Sequence, residues 1–178
     1  MARAAKRIYK FRDKTLNIPF RTGFGYDVHQ FTDGRKLFLG GIEIPHSKGL
    51  KGHSDADALL HAITDALLGA LAIGDIGTHF PDDDPKYKNI KSKILLRESY
   101  ELIKQKKYLL GNIDSTVVAE QPKLKPYISK MQQSIADILK IEPNQVSIKA
   151  TTSEKMGFVG EERGIKVFAT VLIYKDES

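Results

Sequence analysis

The chain holds 178 residues, with 28 Lys and Arg against 22 Asp and Glu, 41% hydrophobic and 8% aromatic residues, and neither Cys nor Trp. That length suits one compact domain, and the composition is that of an ordinary globular protein rather than a disordered one. Without cysteine it can form no disulfide framework, thiolate zinc site or Cys nucleophile, so any bound metal must be held by His nitrogen and carboxylate oxygen.

The chain opens on a basic segment. Arg3, Lys6, Arg7, Lys10, Arg12 and Lys14 stand against Asp13 alone, so five of the six net positive charges fall in residues 1–20 and the rest is close to neutral. Residues 1–20 are expected to form a solvated, flexible extension, with residues 21–178 forming the domain. No apolar run follows the basic residues, so this is not read as a secretory signal. Cytoplasm is the expected location, or a plastid if the extension is the remnant of a transit peptide. The apolar stretch 56–73 is broken by Asp57, His61, Thr64 and Asp65, which excludes a membrane-spanning helix there.

Residues 22–31 then read as a strand, ending at the turn signal Thr32-Asp33-Gly34. Two short runs, 36–39 and 42–44, flank Gly40-Gly41 and predict a hairpin. Residues 45–53 read as loop. Ser54 is the expected N-cap of a first helix, with Asp55 and Asp57 in its first turn where the helix dipole favours negative charge. Leu59, Leu60, Ile63, Leu67 and Leu68 supply its apolar stripe. Further helices are predicted over 91–107 and 126–140, and strands over 112–119, 145–151 and 166–174. The alternation predicts a single two-layer α+β domain: a mixed sheet of about four main strands, helices packed on one side, and a small hairpin. Val167, Phe168, Val171 and Ile173 of the closing strand suit a core, or the axis of an oligomer.

Four clusters carry chemistry. In Gly25-Tyr26-Asp27-Val28-His29, residues two apart on a strand share a face, so a carboxylate and an imidazole project together. With His61 from the first helix they suit a three-ligand zinc site with one open position. Taken alone, Asp27 and His29 equally suit a polar loop pair, and His61 a satisfied core histidine. Gly52-His53-Ser54-Asp55-Ala56-Asp57 suits anion binding at a helix start, or a plain cap. Gly74-Asp75-Ile76-Gly77 with Phe80-Pro81-Asp82-Asp83-Asp84-Pro85 reads as an acidic, turn-rich loop able to bind hydroxyls or hydrated Mg²⁺. Ala150-Thr151-Thr152-Ser153-Glu154-Lys155 suits a phosphate chain bridged by a cation, or a helix cap.

Taken together, these clusters resemble the 2-C-methyl-D-erythritol 2,4-cyclodiphosphate synthase family of the non-mevalonate isoprenoid pathway. The resemblance runs from about residue 21 to residue 174 and includes Thr64-Asp65-Ala66-Leu67-Leu68-Gly69-Ala70, Pro122-Lys123-Leu124 and Lys155-Met156-Gly157-Phe158. It implies an intramolecular phosphoryl transfer. In that reaction 4-diphosphocytidyl-2-C-methyl-D-erythritol 2-phosphate closes to the cyclic diphosphate and releases CMP, which makes the enzyme a phosphorus–oxygen lyase.

The resemblance also implies roles. Asp27, His29 and His61 would hold Zn²⁺ or another divalent cation. Glu154 would help hold Mg²⁺ or Mn²⁺ across the substrate diphosphate. His53 and Ser54 would contact the phosphorylated erythritol, with His53 and Thr152 stabilising the transition state. Asp75, Ile76, Gly77, Phe80, Pro81, Asp82, Asp83 and Asp84 would line the erythritol pocket. Ala119, Pro122, Lys123, Leu124 and Lys125, with Ala150, Thr151, Thr152, Ser153 and Phe158, would hold the nucleotide. The family implies a homotrimer with active sites between subunits, and no nucleic-acid or membrane partner. Glu161 stands where many members carry an arginine near the trimer axis, which puts a diphosphate site there in doubt; Arg163 follows two residues on. His46 and His79 match no catalytic position and are read as surface residues. The alternative enzyme is a zinc phosphoesterase, which would not need the nucleotide segments.

Overall fold

The computed structural model describes residues 19–81, 83–87 and 90–176. All but the last two residues of the expected basic extension therefore lie outside the described residues, as does Asp82. The first strand, β1, runs Phe20–Thr32. A hairpin of β2 (Leu37–Leu39) and β3 (Ile42–Ile44) follows. Next comes β4, only Gly49–Leu50, inside the stretch expected as loop. Helix α1 is Ala58–Ala70, α2 is the single turn Ile76–His79, and α3 is Ser92–Gln105. Then come β5 (Tyr108–Val118), α4 (Ile128–Leu139), β6 (Val146–Thr151), the short α5 (Gly157–Gly160) and β7 (Gly164–Lys175).

Five strands form one mixed sheet in the order β4-β1-β7-β5-β6, with only β5 and β6 parallel. Because β1 and β5 both run antiparallel to β7, the strands β1, β5 and β6 all end at the same edge of the sheet. That edge carries the chemistry.

Side-chain alternation sets the two faces. Ile165, Val167, Ala169, Val171 and Ile173 of β7 point into the core with Ile113 and Val117 of β5. Of the four apolar residues noted in the closing strand, Val167, Val171 and Ile173 are thus core. Phe168 points the other way, against Tyr26 (centroids 5.3 Å apart) and Phe24 (6.3 Å).

The helices cover the inner face. The expected stripe of α1 is buried, and so are Ala58, Ala62, Thr64, Ala66 and Ala70, because the helix lies between the sheet and α3. The strand beneath it is shaped for that contact. A Cβ at Gly23 would fall 1.8 Å from the Ala66 carbonyl oxygen, and one at Gly25 would fall 1.9 Å from that of Ala62. Glycine there lets helix and strand backbones meet.

The start of α1 differs from expectation. Asp57, not Ser54, is the cap: its carboxylate accepts the backbone N–H of Leu60 (3.1 Å), and also those of Gly40 (2.9 Å) and Gly41 (2.6 Å) in the hairpin turn. Two glycines at positive φ bring those donors to one fully buried carboxylate. Ser54 is displaced because Ala56 adopts a left-handed conformation (φ 57°), which breaks any helix begun earlier.

Gly25→Ala is expected to force α1 off β1 and to destabilise the fold by about 3 kcal/mol, as overpacking against backbone does. A fall in the urea midpoint at unchanged m-value checks this, and an unchanged midpoint overturns it.

Candidate active site

Asp27 and His29 lie on the inner face near the end of β1, and His61 on the second turn of α1 directly above. Asp27 Oδ2 lies 3.0 Å from His29 Nε2 and 3.0 Å from His61 Nδ1, and the two nitrogens are 3.3 Å apart. Three donor atoms about 2.0–2.1 Å from a tetrahedral ion would be about 3.3 Å from one another, which is this triangle.

Their outer bonds fix which atoms face inward. His29 Nδ1 is 2.6 Å from the Lys51 carbonyl, which can only accept, so Nδ1 carries a proton and Nε2 is the nitrogen turned toward Asp27. Two imidazole nitrogens this close to one carboxylate oxygen call for positive charge between them, carried by the ring protons or by a metal ion that replaces them. The electrostatics agree. Burial alone would push the Asp27 carboxyl up, but the hydrogen bonds and charges of His29 and His61 outweigh it and hold it well below the usual carboxylate range. For His29, burial works downward, yet the bond to Asp27 raises it above its ordinary value. By donor type and geometry the three residues could hold a metal ion.

A cavity of about 220 Å³ opens beside this triangle, lined by Asp27, His29, His53, Ser54 and His61 with Ile76, Gly77 and Phe80. Tyr87, Ile90 and Leu95 complete its apolar wall, none of them singled out in the sequence. His53 is exposed at its rim. Ser54 Oγ accepts the Ala56 N–H (3.0 Å) and lies 3.3 Å from His61 Nε2.

Of the expected erythritol-pocket residues, Asp75 does not line the cavity: its carboxylate takes the N–H and hydroxyl of Thr78 (2.8 and 2.7 Å) and caps α2. Pro81, Asp83 and Asp84 lie beyond the wall. Asp65, one turn past His61, accepts the Ile76 N–H (2.8 Å) and so fixes the 75–77 turn; burial pushes its carboxyl up.

A second cleft, about 140 Å³, lies where β5 and β6 end. Ala119, Pro122, Lys123, Leu124, Lys125, Ala150, Thr151 and Thr152 line it. Glu120, inside the 119–125 segment expected at the nucleotide, ties its two walls together. One carboxylate oxygen accepts the Ser153 N–H and hydroxyl (3.0 and 3.2 Å) and the Lys155 N–H (3.2 Å). Glu154 follows at φ 52° and Lys155 at φ 60°, and Glu154 accepts the Thr152 hydroxyl (3.0 Å). Ser153, Glu154 and Phe158 lie outside this cleft's lining, in the β6–β7 connection. The two cavities share no residue.

Arg35 is a further residue the sequence reading passed over. Its guanidinium donates to the carbonyls of Gly52 (2.5 Å) and Ser54, gripping the loop on either side of His53. His46 and His79 are half-buried rather than free on the surface. His46 packs on Phe31 (5.2 Å), and His79 Nε2 donates to the Ile73 carbonyl (2.8 Å). Arg163 is paired with Glu161 (2.7 Å).

A group able to hold a metal beside a loop that presents His53 and Ser54, with a second cleft lined by hydroxyls and lysines, suits an enzyme that handles a phosphorylated substrate. Residues 20–174 match the YgbB family, and the chain belongs to it. The 2-C-methyl-D-erythritol 2,4-cyclodiphosphate synthase of Bacteroides thetaiotaomicron is 60% identical over 159 residues, covering 89% of this chain and 100% of the relative. That of Porphyromonas gingivalis is 56% identical over 158 residues, covering 89% and 98%. The CDP complex of the Plasmodium falciparum protein superposes with a TM-score of 0.79 at 37% identity, covering 89% of this chain and 97% of that one. Among the described residues no helix is long and apolar enough to cross a membrane.

His61→Ala is expected to lose bound metal, measured by elemental analysis after desalting. Retention of the ion at wild-type stoichiometry would show that the triangle does not hold it.

Proposed function

We propose that this chain converts 4-diphosphocytidyl-2-C-methyl-D-erythritol 2-phosphate into 2-C-methyl-D-erythritol 2,4-cyclodiphosphate and CMP, a phosphorus–oxygen lyase reaction in isoprenoid precursor synthesis. The observation that carries this reading is the convergence of Asp27 Oδ2, His29 Nε2 and His61 Nδ1 to within 3.0–3.3 Å, in a chain matching that family along its length.

An oxygen of the substrate's 2-phosphate bonds to the β-phosphorus as the bond from that phosphorus to CMP breaks, and the electron pair leaves with CMP. No side-chain nucleophile is needed, so the protein's work is alignment and neutralisation of charge. Asp27, His29 and His61 would hold Zn²⁺, whose Lewis acidity lowers the charge on a diphosphate oxygen when bound. Glu154 would share a second cation, Mg²⁺ or Mn²⁺, with the substrate. His53 and Ser54 donate to the phosphorylated erythritol, whose carbon skeleton meets Ile76, Gly77 and Phe80. Pro122 to Lys125, with Ala150 and Thr151, hold the nucleotide, with Lys123 near its phosphates, and Thr152 donates to the transferring group. The bound CDP of the Plasmodium falciparum structure is the nucleotide half of that substrate.

One substrate must reach both cavities, yet they share no residue in one chain. Meanwhile the outer sheet face bears an uncovered apolar patch, with Phe24 62%, Tyr26 44% and Val28 42% exposed. We infer that this face is buried in a homotrimer, each active site combining the metal cavity of one subunit with the nucleotide cleft of the next.

With Zn²⁺ and Mg²⁺, the purified chain is expected to yield cyclic diphosphate and CMP by phosphorus NMR. Release of inorganic phosphate would favour a metal phosphoesterase instead. Thr152→Ala should keep its metal and lose about 10²–10³-fold in kcat, the value of one aimed donor; an unchanged kcat removes that role. Sedimentation at micromolar concentration should give three times the mass of one chain, and Tyr26→Glu should give an inactive monomer that still binds metal. A fully active monomer rules out shared sites.

A further inference from the structure

Behind His61 runs a chain of hydrogen bonds that no role so far explains. His61 Nε2, the nitrogen facing away from the metal triangle, lies 2.8 Å from Ser92 Oγ. Ser92 is fully buried at the first turn of α3. Its hydroxyl donates in turn to Asp55 Oδ1, and its backbone N–H lies 3.1 and 3.2 Å from the two oxygens of the same carboxylate. Asp55 belongs to the loop gripped by Arg35 and precedes the left-handed Ala56.

The direction of this chain follows from what each group can do. A carboxylate only accepts, so the Ser92 proton points to Asp55 and the Ser92 oxygen lone pairs face His61. His61 Nε2 must then be the donor, so in the neutral ring that binds a metal it is Nδ1 that carries the lone pair, aimed at the position between Asp27 and His29. We propose that Ser92 and Asp55 are positioning residues for the metal site, and that the Asp55 carboxylate, acting through the Ser92 hydroxyl, fixes the His61 tautomer that binds metal through Nδ1. His29 is set the same way by the Lys51 carbonyl. Each imidazole thus keeps its outer nitrogen occupied as a donor, which leaves the triangle-facing nitrogen as the one to bind metal, the usual service of groups behind a metal-bound histidine.

A purely structural role is the competing account, since Asp55 also satisfies a free N–H at the start of α3. The two separate cleanly. Ser92→Ala deletes the hydroxyl but keeps the backbone N–H that Asp55 accepts. Asp55→Asn keeps the shape, yet its amide can donate to Ser92 Oγ and turn the hydroxyl round toward His61, favouring the wrong tautomer.

The proposal rests on the reading of Asp27, His29 and His61 as a metal site, and its test uses zinc affinity by competition with a chelating dye. Ser92→Ala and Asp55→Asn are each expected to bind zinc 10–100-fold more weakly, the ordinary effect of such partners, with the unfolding midpoint of metal-free Ser92→Ala near wild type. Wild-type affinity in both variants overturns the proposal and leaves the metal site standing, whereas a wild-type chain that takes up no zinc overturns the site itself. Should either variant fail to fold, the zinc-loaded wild-type chain decides. Its long-range ¹H–¹⁵N spectrum should show His61 protonated at Nε2 and bound through Nδ1, and coordination through Nε2 overturns the proposal.

Discussion

The site depends on how closely one helix can approach one strand. Gly23 and Gly25 present no side chains where α1 crosses β1, so the carbonyls of Ala62 and Ala66 lie where a Cβ would otherwise be. Alternation along β1 then places Asp27 and His29 on the same face just beyond the crossing, and His61 precedes one of the contacting alanines. A wider separation would draw His61 Nδ1 away from Asp27 Oδ2 by the width of the intervening atoms. A metal tolerates little of that, because its ligand distances are fixed to a few tenths of an ångström. The burial of α1 by α3 on its far side makes the approach rigid rather than merely permitted.

The 52–57 loop converts that rigid pair of elements into a site. Arg35 holds the carbonyls of Gly52 and Ser54, Ser92 holds Asp55, and the hairpin turn holds Asp57. His53 lies between the first two anchors and stays exposed, so its backbone is fixed while its ring remains free to meet a ligand. Three of the seven non-glycine residues at positive φ among the described residues lie near the site: Ala56 by the metal cavity, and Glu154 with Lys155 by the second cleft. Non-glycine residues keep such conformations where neighbours over-determine them, which is common at sites that must present groups in one orientation.

Much of this was legible in the sequence, for reasons that vary with the residue. The strand–helix alternation and the hairpin followed from period and turn residues, and Asp27 with His29 from their spacing of two. The cap of α1 was misread because Ser54 and Asp57 are equally good capping residues, and only the left-handed turn at Ala56 selects between them. Asp75 has the family's spacing, and one oxygen of its carboxylate also caps α2 through Thr78, a local bond that spacing cannot show. Arg35 and Ser92 left no signal at all, and Glu120 lay in the 119–125 nucleotide segment with nothing to mark its own part. Each acts on backbone or on another side chain across long sequence separations, and each looks like an ordinary turn, loop or helix residue in one dimension. The sheet's fifth strand was also invisible, being two residues whose only strand character is pairing with β1.

The two faces of the sheet do different work, and the division follows from one alternation. From Gly23 to His29 the residues of β1 pointing inward are small or polar, Gly23, Gly25, Asp27 and His29, with the apolar Phe31 following only beyond them, while those pointing outward are large and apolar, Phe24, Tyr26 and Val28. That inverts the usual arrangement, in which a half-buried strand turns its apolar side to the core. The inversion makes sense if the outer face is buried too. In the proposed trimer the aromatic face would supply the association energy, and the inner face would be released from core packing to carry metal ligands. The closing strand shows the compromise: β7 sends Val167 and Val171 inward to complete the core that β1 leaves thin, and Phe168 outward to stack with Tyr26. Assembly and chemistry are then not separate features of the chain, because the same strand could not satisfy both faces if its outer, apolar face met water.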